Sequence, residues 1–266
     1  MTYAGQLQES YPELAPRVED LFLLEGHQIA RLPDRAPRRE LAVVLHAHPR
    51  LFRFFVVRHQ PSEAFLSALM ADHEPGIRRD VAECELALLW EIGDWIVYQR
   101  LPGLYDERAN FEPGLTAIVD VAPVMGKVVI DAGAGTGQVA FAAAPVAKQV
   151  FAVEPVSTLR SFIRDKAKLQ GLDNVFVMDG FLHDMPIPRG AGEVLLTRQA
   201  IGWDLDAELD EVERVLGPGG IALHLTGMPH PVGPEDSFHS TLVARGYQVG
   251  SYREGGILKR RYWRQF

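Results

Sequence analysis

The residues with the clearest chemical meaning in this 266-residue chain are three glycines set between an apolar run and a helical run. Lys127-Val128-Val129-Ile130-Asp131 reads as a buried strand, Ala132-Gly133-Ala134-Gly135-Thr136-Gly137 as a tight turn, and 138–147 as a helix. Strand, glycine turn and helix start together make a ligand site at the carboxyl edge of a sheet, because glycines let a ligand approach the backbone and a helix start offers N–H donors. Glu154 lies 17 positions beyond Gly137, at the end of the next strand pattern, 150–153. A carboxylate there can accept from two ribose hydroxyls. This much fits any adenosine-bearing cofactor. A dinucleotide fingerprint G-x-G-x-x-G counted from Gly133 requires glycine at 138, where the chain has Gln138.

The elements that must hold this loop follow an α/β pattern from residue 111 onward. A helix is expected over 157–169, strands over 174–178 and 193–197, a helix over 206–216, a Gly217-Pro218-Gly219-Gly220 turn, and a strand over 221–225. Strands 247–252 and 257–263 are joined by Arg253-Glu254-Gly255-Gly256, short enough to force an antiparallel pair. Before residue 110 the pattern is helical. The clearest helix runs from about Gly76 to Gln99 and ends at Leu101-Pro102-Gly103. Ser62 with Glu63 reads as the capped start of a helix reaching Met70. Residues 40–59 are rich enough in Val and Phe for strands, while Pro49 after His48 suits a helix start; helices are favoured. The Tyr105-Asp106-Glu107-Arg108 stretch then leads through Pro113-Gly114 into the second part. Two domains are therefore expected, a mainly helical 1–110 and an α/β 111–266.

The Asp131-to-Gly137 stretch resembles motif I of the class I S-adenosylmethionine-dependent methyltransferases, of the small-molecule, type 11-like kind. Glu154 is similar to that family's ribose-binding acid. Asp179, followed by Gly180 and Phe181, resembles its adenine-contacting acid. Glu211 to Gly220, containing Arg214-Val215-Leu216 and Pro218-Gly219-Gly220, resembles its helix-turn before the fifth strand. The resemblance covers roughly 112–266. It implies a doubly wound, Rossmann-like sheet of seven strands, six parallel and one antiparallel, with helices on both faces. It also implies S-adenosylmethionine at the carboxyl edge. Gly133, Gly135 and Gly137 would flank the methionine part, with Ala134 beside them, Pro155 next to Glu154, and Asp131 near the amino group.

Methyl transfer from a sulfonium asks the protein mainly for alignment, and for a base only where the nucleophile arrives protonated. The reaction-specific stretch after the fourth strand is Thr197-Arg198-Gln199-Ala200-Ile201-Gly202-Trp203-Asp204. It carries neither the Asn-Pro-Pro-Tyr motif of amino-methylating DNA enzymes nor the cysteine of the cytosine-C5 mechanism. Arg198 and Gln199 are expected to contact the cofactor or a polar acceptor, and Trp203 to wall the pocket or simply to pack. His183 is a candidate base, a loop histidine being the plainer reading. His224 falls inside a strand, as a packed residue. His46 and His48 with His59 offer a metal site as the less favoured reading, no metal being expected, and Asp179 and Asp204 do not suffice to predict the magnesium site of catechol-type enzymes.

Composition sets the outer limits. The chain has 27 Lys and Arg against 35 Asp and Glu, a net charge of −8, which disfavours a protein that coats nucleic acid. Its single cysteine, Cys84, excludes an intramolecular disulfide framework and suits a reducing cytoplasm, with Cys84 itself a small core residue. Neither a secretory signal nor an apolar run of membrane-spanning length is present, so no membrane is expected. The charge is uneven, however: residues 31–60 hold seven Arg and two acids. Arg50, Leu51, Phe52, Arg53 and Phe54 alternate in the manner of an amphipathic element. Trp90, Trp95, Tyr98, Tyr105 and Arg108 can line a cap over a substrate or build a core. Three functions stay open: methylation of a small-molecule acceptor, methylation of RNA or protein recruited by 31–60, and a cofactor-binding module without turnover. Oligomeric state is open too.

Overall fold

The computed structural model describes residues 2–75, 78–109, 114–229 and 236–266. The chain forms two compact units, Met1–Pro102 and Gly103–Phe266. Among the described residues no helix is long and apolar enough to cross a membrane.

The first unit is helical. Its helices are α1 (Tyr3–Ser10), α2 (Gly26–Ala30), α3 (Leu32–Arg35), α4 (Arg38–Ala47), α5 (Pro49–Arg58), α6 (Glu63–Ala71), α7 (Arg78–Glu91) and α8 (Gly93–Arg100), with a 3-10 turn at Val18–Leu23. Residues 40–59 are helical. α4 buries five consecutive residues, Leu41 to Leu45. A helix covered all round shows no polar stripe, so its sequence looks like a buried strand. Pro49 opens α5, where its missing N–H costs nothing.

Two expectations are corrected here. The single helix expected from Gly76 to Gln99 is two, broken at Ile92; its expected start, Gly76, lies outside the described residues. The break falls where Leu7 of α1 packs onto the Gly93 backbone, so close that a Cβ on Gly93 would lie 2.4 Å from Leu7 Cδ2. Ser62 does not cap α6 with its side chain. Its hydroxyl pairs instead with His59 Nδ1 at 2.8 Å.

The second unit opens on α9 (Pro102–Arg108) and a 3-10 turn, Gly114–Ala117, and Pro113 lies outside the described residues. Then follow β1 (Val128–Ala132), α10 (Gln138–Ala143), β2 (Gln149–Val153), α11 (Ser157–Leu169), β3 (Val175–Met178), β4 (Gly192–Arg198), α12 (Leu205–Val215), β5 (Leu216–Pro229), α13 (Ser237–Ala244), β6 (Gln248–Glu254) and β7 (Ile257–Gln265). The seven strands lie in the order β3-β2-β1-β4-β5-β7-β6. β7 runs antiparallel to both β5 and β6, and the rest are parallel. The order reverses between β1 and β4, so a crevice opens at their carboxyl ends.

Alternation along each strand feeds two cores. Val129, Val194 and Leu223 pack on one face with Ala140 of α10, and Ile130, Leu195 and Ala222 on the other with Leu209 and Val212 of α12. Both faces being covered, these strands read as continuous apolar runs. The turn expected at 217–220 is not separate. It lies within β5, whose Leu216 already pairs with Gly192 and whose Gly219 N–H donates to the Phe266 carbonyl. The α13 helix falls in a stretch, 226–246, that carried no sequence expectation. Its start is capped by Asp236, whose carboxylate accepts from the His239 N–H.

Candidate functional site

Four strand ends bring the predicted residues to one edge of the sheet. Asp131 and the glycine loop follow β1, Glu154 follows β2, Asp179 follows β3, and Arg198 with Gln199 end β4. Gly133, Gly135 and Gly137 all hold left-handed backbone, at φ 71°, 56° and 81°. The loop folds back on β2, with the Gly133 and Ala134 N–H groups both donating to the Val153 carbonyl.

The two buried acids tie this edge together through backbone donors. Asp131 Oδ2 accepts from the Ala140 N–H at 2.9 Å, fixing α10 to β1. Glu154 accepts from Gly135 N–H through Oε2 at 2.8 Å and from Val156 N–H through Oε1 at 2.9 Å. Neither carboxylate forms an ion pair among the described residues. Burial therefore dominates, and each carboxyl is pushed up to about 7, against the opposing pull of its N–H donors and of the nearby Arg198 or Arg160 charge. Pro155 is half-buried beside Glu154. Asp179 differs: its side chain is 68% exposed and pairs with Arg160 at 3.0 Å. Gly180 is needed for close packing, since a Cβ there would lie 2.6 Å from Pro186 Cδ. Phe181 stacks on His183, centroids 5.3 Å apart, so the imidazole lies against a ring at the far end of the β3 loop.

Arg198 is committed elsewhere than expected. Its Nε and Nη2 donate to Glu254 Oε1 at 3.0 and 2.7 Å, and Nη1 to the Ala109 carbonyl at 2.8 Å. Glu254 also pairs with Lys259. Burial alone would raise the Glu254 carboxyl, but Lys259 and Arg198 outweigh it and hold it below the usual range. Arg198 is thus an anchor joining β4, the β6–β7 hairpin and the end of α9. Gln199 is exposed and is the single described non-glycine residue with left-handed backbone, φ 56°. Such strain persists only where the surroundings impose it; here the Gln199 N–H donates to the Leu225 carbonyl and the side chain lies against Gly227. Trp203 is 56% exposed, and the N–H groups of Gly202, Trp203 and Asp204 all donate to Glu208.

Sequence reasoning missed how α9 is held. Asp106 accepts from Gln138 Nε2 at 2.5 Å and from Lys166 Nζ at 2.6 Å, and Tyr105 lies over the loop, its hydroxyl 3.7 Å from where a Gly135 Cβ would be. Partners this far apart in the chain leave no local signal. The Glu211-to-Gly220 motif also has a role its pattern did not indicate. Glu211 accepts from the Met185 N–H at 2.7 Å and binds Arg214, which donates to the Ile187 and Met185 carbonyls. The pair clamps the loop after β3 onto α12. Glu211→Gln is expected to cost about 2 kcal/mol through lost charge-assisted bonds, read as a lower urea midpoint at unchanged slope.

The remaining candidates are structural. His224 is fully buried, 2.9 Å from Thr197 Oγ1, and burial pushes its imidazole down to about 3. His46 Nε2 sits 2.9 Å from both the Met70 and His73 carbonyls, His48 pairs with Glu85, and His59 with Ser62. Cys84 and Trp95 are buried within the first unit, while Trp90 and Tyr98 are half-buried and Arg108 exposed.

Part of the chain is similar to known proteins. A family pattern described as "Methyltransferase domain" matches residues 129–220. A malonyl-[acyl-carrier protein] O-methyltransferase of Yersinia pestis is 31% identical over 133 residues, 48% of this chain and 48% of that protein. An uncharacterized methyltransferase of Geobacillus kaustophilus is 30% identical over 132 residues, 46% of this chain and 58% of that protein. These matches span about half the length of the relatives. The solved structure of a SAM-dependent methyltransferase from Aquifex aeolicus shares the fold at TM-score 0.51 and 17% identity, covering 62% of this chain and 97% of that one. Residues 129–220 of the α/β unit thus match a methyltransferase domain, and the unit shares the fold of an S-adenosylmethionine-dependent methyltransferase.

The edge suits the cofactor of such domains. Glu154 spends one lone pair of each oxygen on backbone donors, which leaves acceptor capacity for two hydroxyls. Two buried acids without ion-pair partners favour a cationic ligand, and the glycine loop leaves no Cβ in its way.

Proposed function

We propose that the chain methylates a small-molecule acceptor by in-line displacement, at the crevice between the carboxyl ends of β1 and β4. One observation carries the reading: two buried carboxylates, Asp131 and Glu154, flank a left-handed glycine loop without an ion pair among the described residues, an arrangement completed by a cationic nucleoside. Bound there, S-adenosylmethionine supplies a methyl group already activated on a sulfonium.

In this reading Glu154 accepts from the ribose hydroxyls. Gly133, Ala134, Gly135 and Gly137 flank the methionine part, with Tyr105 closing over Gly135. Asp131 fixes α10 and adds negative potential beside the amino group. Pro155, Asp179, Gly180 and Phe181 serve the adenine end. Gln199, exposed next to the crevice, is the side chain best set to meet the acceptor, while Arg198 holds its strand in place. His183, stacked on Phe181, is not assigned as a base.

Calorimetry with S-adenosylhomocysteine tests the cofactor, and incubation of the purified chain with labelled S-adenosylmethionine and size-fractionated cell extract tests the acceptor. Micromolar binding and label in the low-mass fraction are expected. Binding of NADH but not of S-adenosylhomocysteine would overturn the whole reading. Label confined to protein or RNA would overturn the small-molecule acceptor.

A further inference from the structure

The Arg-rich stretch 31–60 plays no part in the proposed reaction, and the structure sorts its cations. Arg35 pairs with Asp94, Arg38 lies over Phe65, and Arg39 meets Glu40 and Cys84. Arg58 lies over the Phe54 ring, 5.4 Å from its centroid. Arg50 and Arg53 are exposed and engage no partner among the described residues. Arg50, Arg53 and Arg58 all belong to α5, which buries Leu51 and Phe55 on its inner side. At helical spacing Arg50, Arg53, Phe54, Val57 and Arg58 form one outward stripe, with the first and last Arg roughly 12 Å apart along the axis. Val57, in its centre, is 84% exposed, and Phe54 meets Phe22 of the 3-10 turn, extending the apolar ground.

We infer that this face of α5 docks an acidic α-helix of a partner protein. The cations span two turns of an opposing helix, and Arg forks suit carboxylates. Arg and aromatic residues interleaved with an exposed aliphatic side chain are the composition of a protein interface. A nucleic acid offers phosphate and no apolar ground for Val57 and Phe22. It would also feel the surrounding unit, which has eleven Arg against fifteen acids and so repels a polyanion. An anionic bilayer gains about 1 kcal/mol per cation, too little from three to hold the chain. A helix with a few carboxylates makes its contacts within a screening length of about 8 Å, where the local cations outweigh the distant acids. This inference is independent of the methyl-transfer reading, and its readout needs no cofactor.

The test uses the full chain and a synthetic amphipathic peptide of four helical turns with a Glu stripe flanked by Leu. Duplex RNA and phosphatidylglycerol vesicles are run alongside. Fluorescence anisotropy is expected to show saturable peptide binding that weakens with added salt. It is also expected to weaken at least about tenfold in the Arg50→Glu, Arg53→Glu double variant. Because both residues are exposed, the variant is expected to keep its circular dichroism and its S-adenosylhomocysteine affinity. Equal peptide affinity in parent and variant, no peptide binding at low salt, or tighter binding to the RNA or the vesicles would each overturn the proposal.

Discussion

Replacing Gly133 with alanine is expected to abolish S-adenosylhomocysteine binding and to destabilise the chain by about 2–5 kcal/mol. Two costs combine. Gly133 sits at φ 71°, which charges an L-residue about 1–2 kcal/mol. A Cβ there would also lie 2.3 Å from the Ala200 Cβ, an overlap of the kind that costs about 1–3 kcal/mol in a packed site. The overlap can be relieved only by pushing the loop away from the segment after β4. That movement breaks the Gly133 and Ala134 bonds to Val153 and shifts the Gly135 N–H from Glu154. Gly171 provides the control, for it holds φ 66° with nothing within 4 Å of its Cβ position. Gly171→Ala should therefore carry the conformational cost alone and leave binding intact. Urea unfolding of both variants measures the difference, and calorimetry measures binding. If the two variants lose equal stability, or Gly133→Ala still binds, the tight loop packing is not what the site requires.

The second large effect concerns Glu154 and proton linkage. Glu154→Ala leaves the Gly135 and Val156 N–H groups without their acceptor and removes the candidate partner of two hydroxyls. S-Adenosylhomocysteine affinity is expected to fall by about 2–4 kcal/mol, roughly thirtyfold to a thousandfold. The pH dependence has a definite sign. Both Glu154 and Asp131 are raised to about 7 from ordinary values of 4.5 and 3.8. The folded chain therefore holds protons that the unfolded chain has released. Their contribution to stability is complete below the ordinary values, declines as pH rises from about 4 to 7, and is lost above 7. Ligand binding runs the other way. A cation beside the two acids favours their charged forms, so S-adenosylmethionine should release protons on binding near pH 7 and bind more weakly as the pH falls below it. Calorimetry in two buffers of different ionisation enthalpy reads that proton count directly. Proton uptake at pH 7, or no exchange in the parent chain, would contradict the cationic-ligand reading.

Which features were legible depended on how local their causes are. The glycine loop, Glu154 and Asp179 could be placed from sequence because each sits at the end of a strand whose apolar run and following turn announce it. The reversed β7 was legible for a similar reason, a four-residue link between two strand patterns. The α4 helix was ambiguous because its buried run Leu41 to Leu45 carries no periodic stripe, and α5 because its Val and Phe suit a strand as well as a helix. The break at Gly93 could not be read at all, since Leu7, 86 positions away, packs there.

The candidate site divides along the same line. Sequence by itself determined the candidate cofactor edge: a strand, three glycines and an acid at the next strand's end, whose proposed chemistry follows from residue type and spacing. Tertiary structure alone decided what Arg198 does. Its guanidinium meets Glu254, 56 residues on, and the Ala109 carbonyl, 89 residues back, so a residue that read as a ligand contact became an anchor. It likewise decided that Glu211 and Arg214 clamp the β3 loop, that Asp106 ties α9 to α10 and α11, and that Arg50 and Arg53 are left outward on α5. Backbone preferences act over a few residues and leave their mark in the local pattern. A charged side chain can reach any partner the fold brings near, and no local pattern records which one that will be.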